Sequence, residues 1–233
     1  HHENEIAQAH AVGKPFARYW VHNGLLTVNG EKMSKSLGNF ITVEDALQTC
    51  GGEPDVLKMF FLGAHYRSPV DYTKRNIKAA RKRFDRLIHL LHTGNVHRAA
   101  AKISKHAQGV LYKIKEEFTG AMDDDMNTPK ALASIDKLAN FGYQSVRPSG
   151  MTAELLGNIV AARDMLLDLG KGLGLFHHFE EVEAPAEITA LVEQREQARQ
   201  SKDFETADRL RKAVEEKGFI IEDTPEGPVV LPK

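Results

Sequence analysis

The chain has 233 residues, 42% of them hydrophobic and 27% charged, with a single cysteine and a formal net charge of −1. That length accommodates two or three domains, the composition is that of a globular protein, and no apolar run approaches the roughly 20 residues that span a bilayer. Cys50 alone excludes an internal disulfide framework and fits a reducing compartment, and the opening His1-His2-Glu3-Asn4-Glu5 lacks the pattern of a secretory leader.

Residues 1–12 read as a helix with His1, Glu5 and Gln8 on one side. Residues 16–28 are aromatic and β-branched and predict a strand within them, and Asn29-Gly30 predicts a turn. Residues 32–40 are small, polar and glycine-containing, hence a loop. Thr42 can cap a helix from Val43, with Asp45 near its positive end. Residues 55–62 read as a buried helix and 65–69 as a connector. Thr73 can cap a basic helix whose Ile77, Ala80, Phe84, Leu87, Ile88 and Leu91 keep helical spacing until Gly94-Asn95.

A second basic helix is predicted over 96–118. Thr128-Pro129 reads as an N-cap followed by proline at the first helical position, opening a helix to about Tyr143. Residues 147–150 form a loop. Leu155, Leu156, Ile159, Arg163, Leu166 and Leu169 mark a further helix that ends in Gly170, Gly172 and Gly174. That glycine string follows a helix and has the wrong spacing for a dinucleotide loop. Ile188, Leu191, Arg195 and Ala198 share a helix. A second terminal helix runs from Asp203 to Gly218, and 219–222 with 229–231 read as a hairpin around Pro225-Glu226-Gly227.

The near-neutral total conceals segregation. Residues 74–115 hold 12 Lys/Arg against one acid, Asp85, a balance of +11 that leaves −12 for the remainder. Such density attracts polyanions, although a solvated helix face has the same composition. Asp123, Asp124 and Asp125 read either as a metal cluster or as charges stabilising a helix start.

The chemistry lies in Lys32-Met33-Ser34-Lys35-Ser36, followed by Leu37-Gly38-Asn39-Phe40. Two lysines three residues apart on a small, glycine-containing loop suit a mobile phosphate clamp, able to neutralise charge growing on a pyrophosphate leaving group. Gly30 and Gly38 let such a loop close. The pentapeptide resembles the second ATP motif, KMSKS, of class I aminoacyl-tRNA synthetases. The opening HHENE-IAQ segment, Trp20, His65-Tyr66-Arg67-Ser68-Pro69, the run from Met122 to Pro129 and the terminal run from Arg195 to Pro225 narrow the resemblance to the cysteinyl-tRNA synthetases. It covers nearly the whole chain and corresponds to roughly the C-terminal half of such an enzyme.

The resemblance implies a mostly α fold. Residues 1–72 would be the tail end of a class I Rossmann-type catalytic domain, with the KMSKS loop and the stem-contact region. Residues 73–178 would be a helical, DALR-type bundle, 179–185 a linker, and 186–233 a small α+β anticodon-binding module. It implies a cytoplasmic, monomeric cysteine–tRNA ligase that makes cysteinyl-adenylate from ATP, with Mg2+, and L-cysteine, then charges tRNA(Cys). Lys32, Met33, Ser34, Lys35 and Ser36 would bind ATP, and Lys32 and Lys35 would act in catalysis. A zinc ion would hold the substrate thiolate, with His1 and Glu5 as two of its ligands; the cysteine ligands fall outside these residues, and Cys50 does not replace them. There is no His-x-Gly-His string, the other ATP motif, so cysteine activation by these residues alone is not expected. Arg199, Asp208 and Asp223 match positions that meet anticodon bases. The end departs from the family's Gly-Thr-x-Trp, with Gly227-Pro228-Val229-Val230 in its place. The alternatives are a mycothiol-type cysteine ligase, against which residues 186–233 argue, and a non-catalytic tRNA-binding module.

Overall fold

The computed structural model describes residues 1–93, 103–145, 152–179, 185–224 and 227–232. Helix α1 (Glu3–Ala11) buries no residue and carries Glu3 and Glu5 in its first turn, where the helix dipole favours acids. His1 precedes it, so the expected helix from residue 1 starts two residues later, with His2 at the N-cap.

The strand expected within 16–28 is β1 (Leu26–Val28). The residues before it instead build a ring stack in which Trp20 lies 5.2 Å from His2 and 5.3 Å from Phe16. Strand β2 (Glu31–Lys32) returns antiparallel through Asn29 and Gly30, both at positive φ (52° and 83°) as a two-residue hairpin turn requires. Strand β3 (Val70–Tyr72) lies parallel to β1 on its other side, Thr27 opposite Asp71, giving the order β2-β1-β3. The crossover between the parallel strands holds α2 (Val43–Thr49) and α3 (Pro54–Leu62). Thr42 caps α2 as its position predicted, and Asp45, expected only as a charge near the positive end, closes a reciprocal capping box with it.

Four long helices follow: α4 (Lys74–Thr93), α5 (Lys105–Asp123), α6 (Thr128–Ser145) and α7 (Ala153–Gly172). The Thr73 hydroxyl accepts from Asn76 N–H at 3.1 Å and caps α4. Ser104 caps α5 through Ala107 N–H, so the described part of the second basic helix begins nine residues later than expected; Gly94-Asn95 and residues 96–102 lie outside the described residues. The cap of α6 is Asn127 rather than Thr128: its Oδ1 accepts from Lys130 N–H at 3.3 Å. Helix α7 continues through Gly170, whose missing side chain makes room for the Phe176 ring. The loop expected at 147–150 lies outside the described residues.

Fully buried Leu87, Leu90, Leu91, Leu132, Ile135, Leu138 and Leu166 centre one core that runs from β1 into the helices. The crossover is fixed to it by Asp55: its carboxylate accepts from Phe176 N–H at 2.7 Å and from Lys58 at 2.8 Å, while Lys58 also donates to Gly174 C=O. Arg163, expected on an apolar stripe, is fully buried. Its Nε donates to Leu91 C=O at 3.2 Å, and Nη1 reaches Asp164 at 2.8 Å. Cys50 is buried and free, and burial pushes its thiol pKa up.

A second, smaller cluster of Ile188, Val192, Val214 and Ile221 joins α8 (Ala186–Gln200), α9 (Phe204–Glu216) and the hairpin of β4 (Phe219–Thr224) and β5 (Gly227–Pro232). Asp203 caps α9 through Thr206 N–H, and Gly218 ends it at φ 83°. The acidic stretch 180–184 and the turn residues Pro225 and Glu226 lie outside the described residues. No described helix is long and apolar enough to cross a membrane.

Candidate ATP loop and tRNA-facing surfaces

The lysine loop leaves the sheet edge at Lys32 and carries one 3-10 turn over Lys35–Leu37, ended by Gly38 at φ 66°. Asn39 closes it: its Oδ1 accepts from Ser34 N–H at 2.8 Å and its Nδ2 donates to Lys32 C=O at 3.1 Å. The Ser34 and Ser36 hydroxyls are 2.6 Å apart, and Lys35 Nζ lies 5.4 Å from the Phe40 ring centre. Lys32, Lys35 and Ser36 are exposed, whereas Met33 is half-buried at an apolar cavity of about 80 Å³ with Val28, Ile41, Ala46 and Tyr72. The loop therefore stands on an apolar foot and presents two ammonium groups to solvent.

His1 and Glu5 do not share a helix face, since His1 lies before α1. His1 stacks 5.0 Å from His2 and 6.0 Å from His22, and His2 Nδ1 is 3.9 Å from Glu5 Oε1. Among the described residues no group of three or more His, Cys, Asp or Glu side chains is placed to hold a metal.

On α4 the charges divide into two sets. Arg83 grips Asp136 on α6 through two bonds of 3.2 and 2.6 Å, and Arg86 bonds Asn140, so these arginines tie helices together. Lys74, Lys78 and Lys82, at four-residue spacing, are exposed in one row. Lys115 on α5 reaches instead toward Asp168 at 3.7 Å. Arg98 and Lys102 lie outside the described residues.

Two of the three adjacent aspartates serve as struts. Asp124 pairs with Lys130 at 2.9 Å. Asp125 accepts from the Tyr66 hydroxyl at 2.7 Å and pairs with Arg67 at 2.8 Å, across 59 residues of sequence. The Tyr66 bond, then Arg67, holds the Asp125 carboxyl below the usual carboxylate range.

In the terminal unit, Arg199 Nη1 lies 2.6 Å from Asp223 Oδ1 and Asp208 is exposed on α9. Sequence reasoning placed Arg195 only on a helix stripe. It is 4% exposed and forks onto Asp223, Nη1 to Oδ1 at 2.6 Å and Nη2 to Oδ2 at 2.8 Å. Its one advance signal was a charge among apolar positions on α8. The Arg195 bond lowers the Asp223 carboxyl pKa, with the charges of Arg195 and Arg199 adding to it.

The model of the class I (C) tRNA synthetase catalytic domain matches residues 1–82, that of the DALR domain residues 117–177, and that of the cysteinyl-tRNA ligase anticodon-binding domain residues 181–227. The cysteine–tRNA ligase of Persephonella marina is 38% identical over 250 aligned residues, and that of Symbiobacterium thermophilum 40% over 236. The chain belongs to the cysteinyl-tRNA synthetase family. Each alignment takes in 97% of this chain but only 51% and 49% of those relatives, so the chain spans about half their length. In fold, the LeuRS–tRNA–LeuAMS ternary complex of Agrobacterium radiobacter K84 superposes with a TM-score of 0.52 at 17% identity, over 71% of this chain and 23% of that one. That likeness is consistent with a synthetase catalytic tail followed by helices. Within the family frame, the lysine loop falls inside the catalytic match and Arg195, Arg199, Asp208 and Asp223 inside the anticodon-binding match.

Proposed function

We propose that this chain supplies the ATP loop and the tRNA-binding surfaces of a cysteine–tRNA ligase. The observation that carries the reading is the clasped Lys32/Lys35 loop in a chain that also matches the family's anticodon-binding domain. Such an enzyme joins a cysteine carboxylate oxygen to the α-phosphorus of ATP, with pyrophosphate leaving, and then transfers the cysteinyl group to a terminal ribose hydroxyl of tRNA(Cys), with AMP leaving. As the bond to pyrophosphate breaks, negative charge grows on the leaving group, and Lys32 and Lys35 meet it there. Ser34 and Ser36 offer hydroxyl donors on the same loop, and Met33 anchors it. Magnesium enters with ATP as part of that substrate.

Residues 1–72 contribute the catalytic part, 73–178 the bundle and 186–233 the anticodon reader, joined through 179–185. The exposed lysine row of α4 holds tRNA phosphates, which positions the tRNA. Arg199, Asp208 and Asp223 read anticodon bases. Zinc would supply thiolate selectivity, with His1 and Glu5 as donors. Although His2 and His22 lie nearby, the described residues form no group of three or more donors placed to hold a metal, so they do not by themselves fit a zinc site and no step is derived through it.

The test is ATP–pyrophosphate exchange with cysteine, in the intact ligase that contains these residues. Replacing Lys35 with alanine lowers exchange about 100-fold, in line with loss of one electrostatic donor at a transition state. Undiminished exchange with both lysines replaced overturns the role. Salt-dependent binding of tRNA(Cys) by the chain supports the tRNA reading, and no binding at any salt favours a small-molecule cysteine ligase instead.

A further inference from the structure

The terminal unit holds a buried charged group that the proposed function does not use. Arg195 sits on the buried face of α8, 4% exposed, with its fork committed to a carboxylate 28 residues away on β4. Asp223 itself is 37% exposed, and Arg199, one helical turn on from Arg195, is 40% exposed. A buried arginine thus grips the back of a carboxylate whose front, and whose second arginine, face solvent.

A carboxylate offers about four lone-pair positions. Arg195 Nη1 and Arg199 Nη1 both approach Oδ1 at 2.6 Å, and Arg195 Nη2 takes one position on Oδ2 at 2.8 Å. One acceptor position on Oδ2 is left, on the edge away from Arg199. That is a single fixed acceptor. It matches a base edge with an exocyclic amino group, as in cytosine or adenine, and mismatches uracil or hypoxanthine, where a carbonyl replaces the amino group. The cysteine anticodon, GCA by the genetic code, contains one of each.

We infer that Arg195 is a positioning residue for base recognition: its fork fixes the plane of the Asp223 carboxylate, with Arg199 holding Oδ1, so that the free Oδ2 position is presented to the exocyclic amino group of an anticodon base. The inference rests on the anticodon reading of Asp223 and Arg199. Arg195 touches no base. A planar two-bond grip fixes an orientation that a single ammonium cannot, which separates arginine from lysine at this position. Glu196, bonded to Arg195 Nη1 at 2.7 Å, holds the guanidinium from the other side.

The test measures binding of the 233-residue chain to anticodon stem-loops by fluorescence anisotropy at fixed salt. The loops carry GCA, the same loop with cytosine changed to uracil, and the same loop with adenine changed to inosine. The unaltered chain prefers GCA over at least one changed loop by about tenfold. Arg195→Lys loses most of that preference while its affinity for the changed loops stays within about twofold, with the melting temperature reported alongside; if it does not fold, Arg195→Gln is read in the same way. Weakening of all three loops by the same factor marks a merely structural arginine and overturns the inference. Preference kept in Arg195→Lys but lost in Asp223→Asn also overturns it, while leaving the anticodon reading intact. Absence of preference in the unaltered chain overturns the reading itself and the role of Arg195 with it.

Discussion

Asn39 clasps Ser34 across the lysine loop, accepting its backbone N–H at 2.8 Å while donating to the Lys32 carbonyl at 3.1 Å. Both proposed ATP lysines therefore lie in a segment closed by one amide side chain. Asn39→Ala frees the loop and leaves two backbone groups, one exposed and one part-buried, to water. Its cost in global stability is about 1 kcal/mol or less. ATP–pyrophosphate exchange in the intact ligase falls about tenfold, because lysines that must be ordered during the reaction add their ordering to its barrier. Asn39→Asp keeps the acceptor and loses the donor, so its exchange rate lies between the two. Equal rates for all three proteins would remove the clasp from the mechanism.

Gly170 and Phe176 make a second close relationship, in the core. A methyl group at residue 170 overlaps the Phe176 ring, and Phe176 is held at φ 60° with its N–H on Asp55. Gly170→Ala is therefore destabilising despite alanine's better helix propensity, by about 1–3 kcal/mol of overpacking. Urea denaturation reads the change, and a gain in stability refutes the packing argument.

The sequence displayed what is local. Thr42, Thr73, Asp203 and Gly218 act within three or four residues of their own positions, and their roles follow from spacing alone. The motif around Lys32 was legible as a string. The clasp was not, because an amide bonding a backbone five and seven residues earlier leaves no periodic mark. Arg195 and Asp223 are 28 residues apart, and Asp125 and Tyr66 are 59 apart, so spacing along the chain marks neither pairing. The segment 16–28 holds its expected strand only at Leu26–Val28, for the converse reason. Its aromatic residues have β propensity, but Phe16 and Trp20 find rings to stack on rather than a strand to pair with.

The Asp223 carboxyl pKa is lowered first by the Arg195 hydrogen bond and further by the charges of Arg195 and Arg199. A depressed folded-state value means the carboxylate adds stability above the unfolded carboxylate pKa of about 3.9, and that contribution is lost as pH falls through the folded value. Acid titration of the chain, followed by the signal of the terminal unit, shows stability dropping below about pH 4. In Asp223→Asn this portion of the pH dependence vanishes. An unchanged acid limb would mean that the arginine pair contributes nothing to folding.

The row Lys74, Lys78 and Lys82 is exposed, whereas Arg83 on the same helix is committed to Asp136 and serves the fold. Replacing the three lysines with glutamine therefore separates phosphate binding from stability. Exposed substitutions away from packed neighbours change stability by about 0.5 kcal/mol or less each. Every phosphate left without its lysine takes about 0.7–0.9 off the slope of log affinity against log salt, so the triple variant's slope is shallower by about 2 to 3. The weakening falls equally on every tRNA, because phosphates carry no base identity. Arg83→Gln shows the opposite pattern. It breaks the grip on α6, lowers the melting temperature and leaves the salt slope unaltered at temperatures where the chain remains folded. Binding isotherms from about 50 to about 300 mM salt span enough of the range for the slopes to be resolved. A triple variant with the parental slope would place the tRNA phosphates on another face.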